Sequence, residues 1–124
     1  MDAARAWVEA WELGWRTHDV EPIAARYAEG AVFRSHPFRE PDDARAYVER
    51  VFADEEAEPE VWFGEPIAGG DRAAVEYWAI VRYEGRDHTL AGTTLLRFDA
   101  DGLVVEHRDY WALQEGRRER PAGS

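Results

Sequence analysis

The sequence has no cysteine and no lysine, so all fifteen of its basic residues are arginine. Without thiols there are no disulfides, thiolate metal sites or cysteine nucleophiles, and without lysine amines there is no Schiff-base chemistry. What remains for chemistry is a set of carboxylates, hydroxyls, arginines and four histidines. No apolar run approaches the roughly 20 residues that a membrane helix needs, and Met1 to Trp7 lacks the basic and then apolar pattern of a leader. A cytoplasmic location is therefore expected. Positive charge is also scarce: the formal net charge of -11 argues against nucleic acid or an anionic membrane as partner, since their phosphates need a basic surface. A small neutral or cationic molecule fits this balance better.

Aromatic residues are abundant, with six Trp, five Tyr and five Phe in 124 residues. That content supports one hydrophobic core and argues against disorder. A single domain is expected over residues 1–116, followed by a disordered tail at 117–124. Residues 3–17 have helical periodicity, with Asp2 as N-cap and Trp7, Trp11 and Trp15 on a common flank. These indoles are core packing, with one or two of them, Trp11 among them, open to lining a cavity. Asp19 caps a second helix that carries Tyr27 on its apolar side and ends at Gly30. A short strand follows at Ala31 to His36, then a third helix from Asp42 to about Ala53. The acidic stretch from Asp54 to Glu60 is expected to be a solvated loop.

Beyond residue 60 the period becomes two. Strands are expected at Val61 to Ile67, Ala73 to Tyr83, Asp87 to Phe98 and Leu103 to Leu113, with turn chemistry between them. Helices followed by an antiparallel meander make an α+β fold in which a curved sheet wraps the long helix.

The last strand concentrates the chemistry. Strict alternation places Leu103, Val105, His107, Asp109 and Trp111 on one face. An imidazole and a carboxylate among apolar neighbours are costly to bury unless they are hydrogen-bonded or used, so this face is read as a cavity wall. The two polar groups stand about 6.6–7 Å apart along the strand, a long gap for a direct hydrogen bond but a good one for two groups gripping one substrate.

If both hairpins are symmetric about their turns, Thr94 and Tyr77 flank His107, Gly92 and Ala79 flank Asp109, and Leu90 and Val81 flank Trp111. Gly92 would then leave open volume beside the carboxylate, or else mark a bulge or bend. A slip of one residue would turn Asp109 to solvent. His36 is placed at the rim of the pocket, although strict alternation turns Ser35 rather than His36 inward, and His18 and His88 are read as surface residues. A metal site built from His107, Asp109 and His36 has no supporting spacing, so neither metal nor cofactor is expected. The opposite sheet face, with Trp78, Ile80, Thr93, Leu95, Val104 and Tyr110, is too apolar for plain solvent and points to a homodimer.

Trp-Glu-Xaa-Gly-Trp-Arg-Thr-His-Asp-Val-Glu-Pro-Ile, then Tyr-Ala-Glu-Gly-Ala-Val-Phe, and finally Gly-Leu-Val-Val-Glu-His-Arg-Asp-Tyr-Trp resemble the SnoaL-like branch of the nuclear transport factor 2-like (NTF2-like) superfamily. The resemblance spans residues 3–113 and implies a cone-shaped half-barrel, three N-terminal helices on a curved antiparallel sheet, with a pocket between them. It also implies a general acid or base at Asp109, which matches the last-strand acid of the cyclases and epoxide hydrolases. Trp11, Thr94 and Ser35 occupy the positions of the ketosteroid isomerase machinery, which argues against that reaction. Val75, Tyr77, Ala79 and Val81 supply no inward Arg-Asp pair for epoxide hydrolysis.

The functional expectation is a cofactor-free lyase, isomerase or cyclase acting on a small apolar carbonyl compound. Asp109 and His107 are the catalytic candidates, while His36, Trp11, Tyr77, Thr94, Gly92 and Trp111 are the binding candidates. Asp109 would move the proton, and His107, His36 or Tyr77 would hydrogen-bond the oxygen that gains charge. The alternative is a non-catalytic protein that binds a hydrophobic ligand or serves a regulatory role.

Overall fold

The computed structural model describes residues 2–122. Helices α1 (Ala3–Thr17), α2 (Val20–Ala24) and α3 (Ala44–Asp54) pack on a sheet of β1 (Tyr27–Arg34), β2 (Glu60–Phe63), β3 (Ile67–Gly69), β4 (Arg72–Tyr83), β5 (Arg86–Phe98) and β6 (Val104–Glu115). The strand order is β1-β6-β5-β4-β2, with β3 also paired to β4. Asp2, Asp19 and Asp43 cap the three helices by accepting backbone N–H groups of the first turns. Trp7, Trp11 and Trp15 are buried along α1 and meet Phe33, Val48, Val75 and Leu96 in the core.

Three expectations about the elements need correction. The second helix stops at Ala24, and Tyr27 belongs to β1. Here pairing with β6 wins over continued helix: Val104 N donates to Arg26 O at 2.8 Å, and the Arg26 guanidinium donates to Gly102 O at 3.0 Å. Gly30, at φ +76°, lies within β1 where its register against β6 breaks, not at a helix end. The sheet is not wholly antiparallel either, since β1 runs parallel to β6. Finally, the stretch from Val61 to Ile67 is two strands, parted by Gly64, Glu65 and Pro66.

The hairpin registers also differ from symmetry, in a way that spares the inner face. Glu84 and Gly85, both at positive φ, form a two-residue turn that pairs Tyr83 with Arg86. Between β5 and β6 a bulge leaves Val105 unpaired, because Phe98 faces Val104 while Arg97 faces Glu106. Val104 therefore points inward and is fully buried, in place of Leu103 and Val105. From His107 onward each pairing is displaced by two residues, an even number that keeps His107, Asp109 and Trp111 on the helix side.

Thr94 now lies between Val75 and Asp109, and Gly92 lies between Tyr77 and Trp111. Gly92 opens no space beside the carboxylate. A Cβ there would sit 2.6 Å from Tyr110 O and 2.7 Å from the Trp111 Cβ, so this glycine answers a close approach of β6.

On the outer face, the segment expected to be a disordered tail runs back along the sheet. Trp78 Nε1 donates to Arg118 O, Arg118 N donates to Thr89 Oγ1, and the Arg120 guanidinium lies 3.9 Å from the Trp62 ring centroid. Ile80, the cross-strand neighbour of Thr89, is buried on that face. Residues 123 and 124 lie outside the described residues.

Gly92→Ala should cost about 1–3 kcal/mol, the range for overpacking a filled site. Urea denaturation reads this directly, and an unchanged midpoint would mean that β6 yields to the added methyl.

Candidate active site

A half-open cavity of about 320 Å3 lies between α1, α3 and the inner face of β4–β6, at the small end of ligand pockets. Trp7, Trp11 and Trp15 form the α1 wall, Tyr47, Val48, Val51 and Phe52 the α3 wall, and Tyr77, Thr94, His107, Asp109 and Trp111 the sheet wall. Of the residues expected from sequence, Asp109, His107, Trp11, Tyr77, Thr94 and Trp111 are thus brought together. Gly92 is not on the wall, and neither is His36. The His36 ring packs edge-on against Trp111, with its Nδ1 accepting from Phe38 N, so it supports the wall from behind.

The interior of the site is a series of linked hydrogen bonds. Trp7 Nε1 and Trp11 Nε1 both donate to the Tyr27 hydroxyl oxygen, at 3.0 and 3.1 Å. With two donors on that oxygen, its own proton goes to His107 Nδ1, 2.8 Å away. Nδ1 is therefore an acceptor, and the neutral imidazole carries its proton on Nε2. That nitrogen lies 2.8 Å from Asp109 Oδ1, in contact with it but too bent for a well-formed hydrogen bond. The same Oδ1 accepts a 2.6 Å bond from Thr94 Oγ1. The spacing along the strand does not keep the two groups apart, because the side chains lean toward each other. Both ring nitrogens of His107 are turned to protein groups and the residue is only 1% exposed, a placement that suits positioning Asp109 better than gripping a substrate.

Asp109 Oδ2 has no hydrogen-bond partner among the described residues, and the residue lines the cavity. One carboxylate oxygen is held and the other is available. Tyr77 and Tyr47 line the same cavity, as phenols that stay protonated. Burial first and then the charge of Asp109 push the Tyr77 hydroxyl far above its usual range. Tyr47 is raised by the same two causes, with Arg39 opposing. Arg39 itself lies at the mouth, 5.3 Å from the Trp111 ring centroid, and donates to Ser35 Oγ.

Sequence reasoning misses four polar residues. Tyr27 reads as helical, although two indoles four residues apart on a buried flank both need an acceptor. Glu55 reads as part of a solvated loop, yet its side chain is 4% exposed and accepts from Trp15 Nε1. His18 is not a simple surface residue: it ends α1 at φ 52° and contacts Glu55. His88 is buried on the inner face, stacked on Tyr83 at 3.8 Å. Among the described residues no cluster of three His, Asp or Glu side chains is placed to hold a metal ion.

The chain matches the SnoaL-like domain over residues 4–107. It belongs to that family. No curated protein gives a significant match. Among solved structures, Rv0760c of Mycobacterium tuberculosis is similar at a TM-score of 0.79 and 18% identity, covering 94% of this chain and 98% of that one. An epoxide hydrolase of the same organism, described as LEH-like, has a TM-score of 0.72 at 18% identity, over 90% and 83% of the two chains. The Δ5-3-ketosteroid isomerase of a Mycobacterium species has a TM-score of 0.73 at 15% identity, over 93% and 99%. At these identities the likeness shows the fold, which is the NTF2-like α+β arrangement of helices on a curved, open six-stranded sheet. The family match ends at residue 107, so Asp109 lies just past it.

Tyr27→Phe would leave two indole N–H groups and His107 Nδ1 without their shared partner, at about 1–3 kcal/mol for each buried group left unpaired. Nitrogen NMR of the native imidazole should show the proton on Nε2, and in the variant that tautomer should no longer be fixed. A native Nδ1 proton would contradict the assigned hydrogen-bond direction.

Proposed function

We propose that this SnoaL-like protein is a cofactor-free acid–base enzyme, an isomerase, lyase or cyclase for a small, largely apolar carbonyl compound. The observation that carries this reading is the division of Asp109, one oxygen held by Thr94 and His107 and the other facing an aromatic cavity. Oδ2 removes a proton from the carbon next to the carbonyl. The carbonyl oxygen gains the charge and is met by the hydroxyls of Tyr77 and Tyr47, which burial keeps protonated. Asp109 then returns the proton to a second carbon or to a departing hydroxyl, so the carboxylate is regenerated. Of the three oxygen-binding candidates drawn from the sequence, Tyr77 is the one this mechanism keeps. That similar structures include a ketosteroid isomerase and an epoxide hydrolase supports a scaffold suited to acid–base work.

Benzylacetone, a small aromatic ketone, serves as probe. In D2O the wild type should speed deuterium entry beside its carbonyl, and Asp109→Asn should lower that rate by roughly 10²–10⁴-fold, the usual worth of a positioned acid or base, with little change in melting temperature. Equal exchange by wild type and variant would overturn the role of Asp109. Thermal stabilisation by the ketone without any exchange would instead favour a binding protein.

The reading includes a homodimer through the outer sheet face, over the part that the C-terminal segment leaves open. Val32 and Tyr110 are 45% and 43% exposed there, and Leu95 lies on the same face. Sedimentation should give twice the 14.2 kDa chain mass; a single chain mass at high concentration would remove this part of the proposal.

A further inference from the structure

The cavity has a second polar group that the chemistry above does not use. Glu55, just past α3, lines the same space as Asp109. Trp15 Nε1 lies between its two oxygens at 3.2 and 3.0 Å, and His18 Nε2 is 2.9 Å from Oε1. A carboxylate has about four acceptor positions, so Oε2, met only by the indole, has acceptor capacity left. Among the described residues no arginine pairs with this carboxylate. Burial pushes the Glu55 carboxyl upward, with Trp15 and His18 opposing; a charge in that position is incompletely compensated.

The two poles stand apart along α1. His107 is in ring contact with Trp7 and Trp11, whereas Glu55 binds Trp15. At 1.5 Å per residue, Trp15 is about 6 Å beyond Trp11 and about 12 Å beyond Trp7. Val51, Phe63, Tyr77 and Val81 line the cavity with them and offer no charge. The outline is a polar end, an oily middle and a second polar end.

We propose that Glu55, positioned by Trp15 and His18, is a second binding pole, and that it takes a hydrogen-bond donor, a hydroxyl or a protonated amine, at the end of the ligand remote from its carbonyl. This deepens the acid–base reading and rests on its cavity. It also fits a chain of net charge -11 without lysine, in which a carboxylate at the far end turns away carboxylated or phosphorylated substrates. The surrounding Trp15 and Phe52 rings add an attractive face for an ammonium.

Calorimetry on the full-length protein tests the proposal with benzylacetone and its para-hydroxyl, para-methoxy and para-aminomethyl derivatives. The hydroxyl and ammonium forms should bind roughly tenfold more tightly than the parent and the methoxy form, the worth of one hydrogen bond to a charged group. The hydroxyl and ammonium arms show which donor the pole prefers. Glu55→Gln should bring the ammonium form back to the affinity of the parent, whose own binding is unchanged. Asp109→Asn should leave the preference intact, which separates this pole from the reacting one. Equal affinity of all four ketones for the wild type, or a preference that survives in Glu55→Gln, overturns the second pole alone. If no ketone binds, the cavity reading falls and this proposal with it. Should Glu55→Gln fail to fold, the comparison among ligands on the wild type decides.

Discussion

The Tyr27 hydroxyl is the contact on which the rest of the molecule depends. It joins α1, through two indole N–H groups, to the histidine of β6, and so links the helix layer to the sheet at the base of the cavity. A phenol that accepts twice has one donation left, and its direction is then fixed by counting. The consequence passes along β6: the imidazole tautomer is set, Nε2–H is presented to Asp109, and the carboxylate is left with one occupied and one open oxygen. The hydroxyl thereby uses both its acceptor positions and its one proton without a buried charge, the condition under which a buried polar group specifies a structure instead of weakening it.

Much of the architecture is legible in the sequence because it follows from period and punctuation. The helical spacing of Trp7, Trp11 and Trp15, the aspartate caps and the switch to alternation after residue 60 all correspond to elements of the structure. The boundaries that are not legible are tertiary. Nothing between Asp19 and Gly30 marks Ala24 as the end of a helix; that end is imposed by the parallel pairing of Tyr27 with Val104, a contact that spans more than half the length of the protein. Likewise, hydropathy says nothing of the return of Arg118 onto Trp78, which is held by a backbone carbonyl.

The candidate site divides along the same line. Asp109, His107, Thr94, Tyr77 and Trp111 are readable because they lie on strands, where parity alone assigns a face. His36 and Gly92 are misread for local reasons: one follows a strand into a turn, and the other responds to the backbone of its neighbour. Tyr27 and Glu55 escape because their importance comes from partners far away in the sequence. Each nonetheless answers an indole N–H on α1. A buried tryptophan is thus also a request for an acceptor, and asking where each request is met directs attention to both residues.

The bulge at Val105 has a wider meaning for how this sheet tolerates change. Elsewhere along β4 to β6 the two faces are separated by parity, so gains or losses of two residues at a hairpin slide one strand against another and leave lining residues lining. Val105 is the odd step. Were the bulge absent, so that Val105 took the place opposite Arg97, His107 would fall opposite Leu95 and every later β6 side chain would invert, sending the imidazole and the carboxylate outward together with no change of sequence. The cavity-lining face of the last strand is in this sense counted from an irregularity and not from the turn that precedes it.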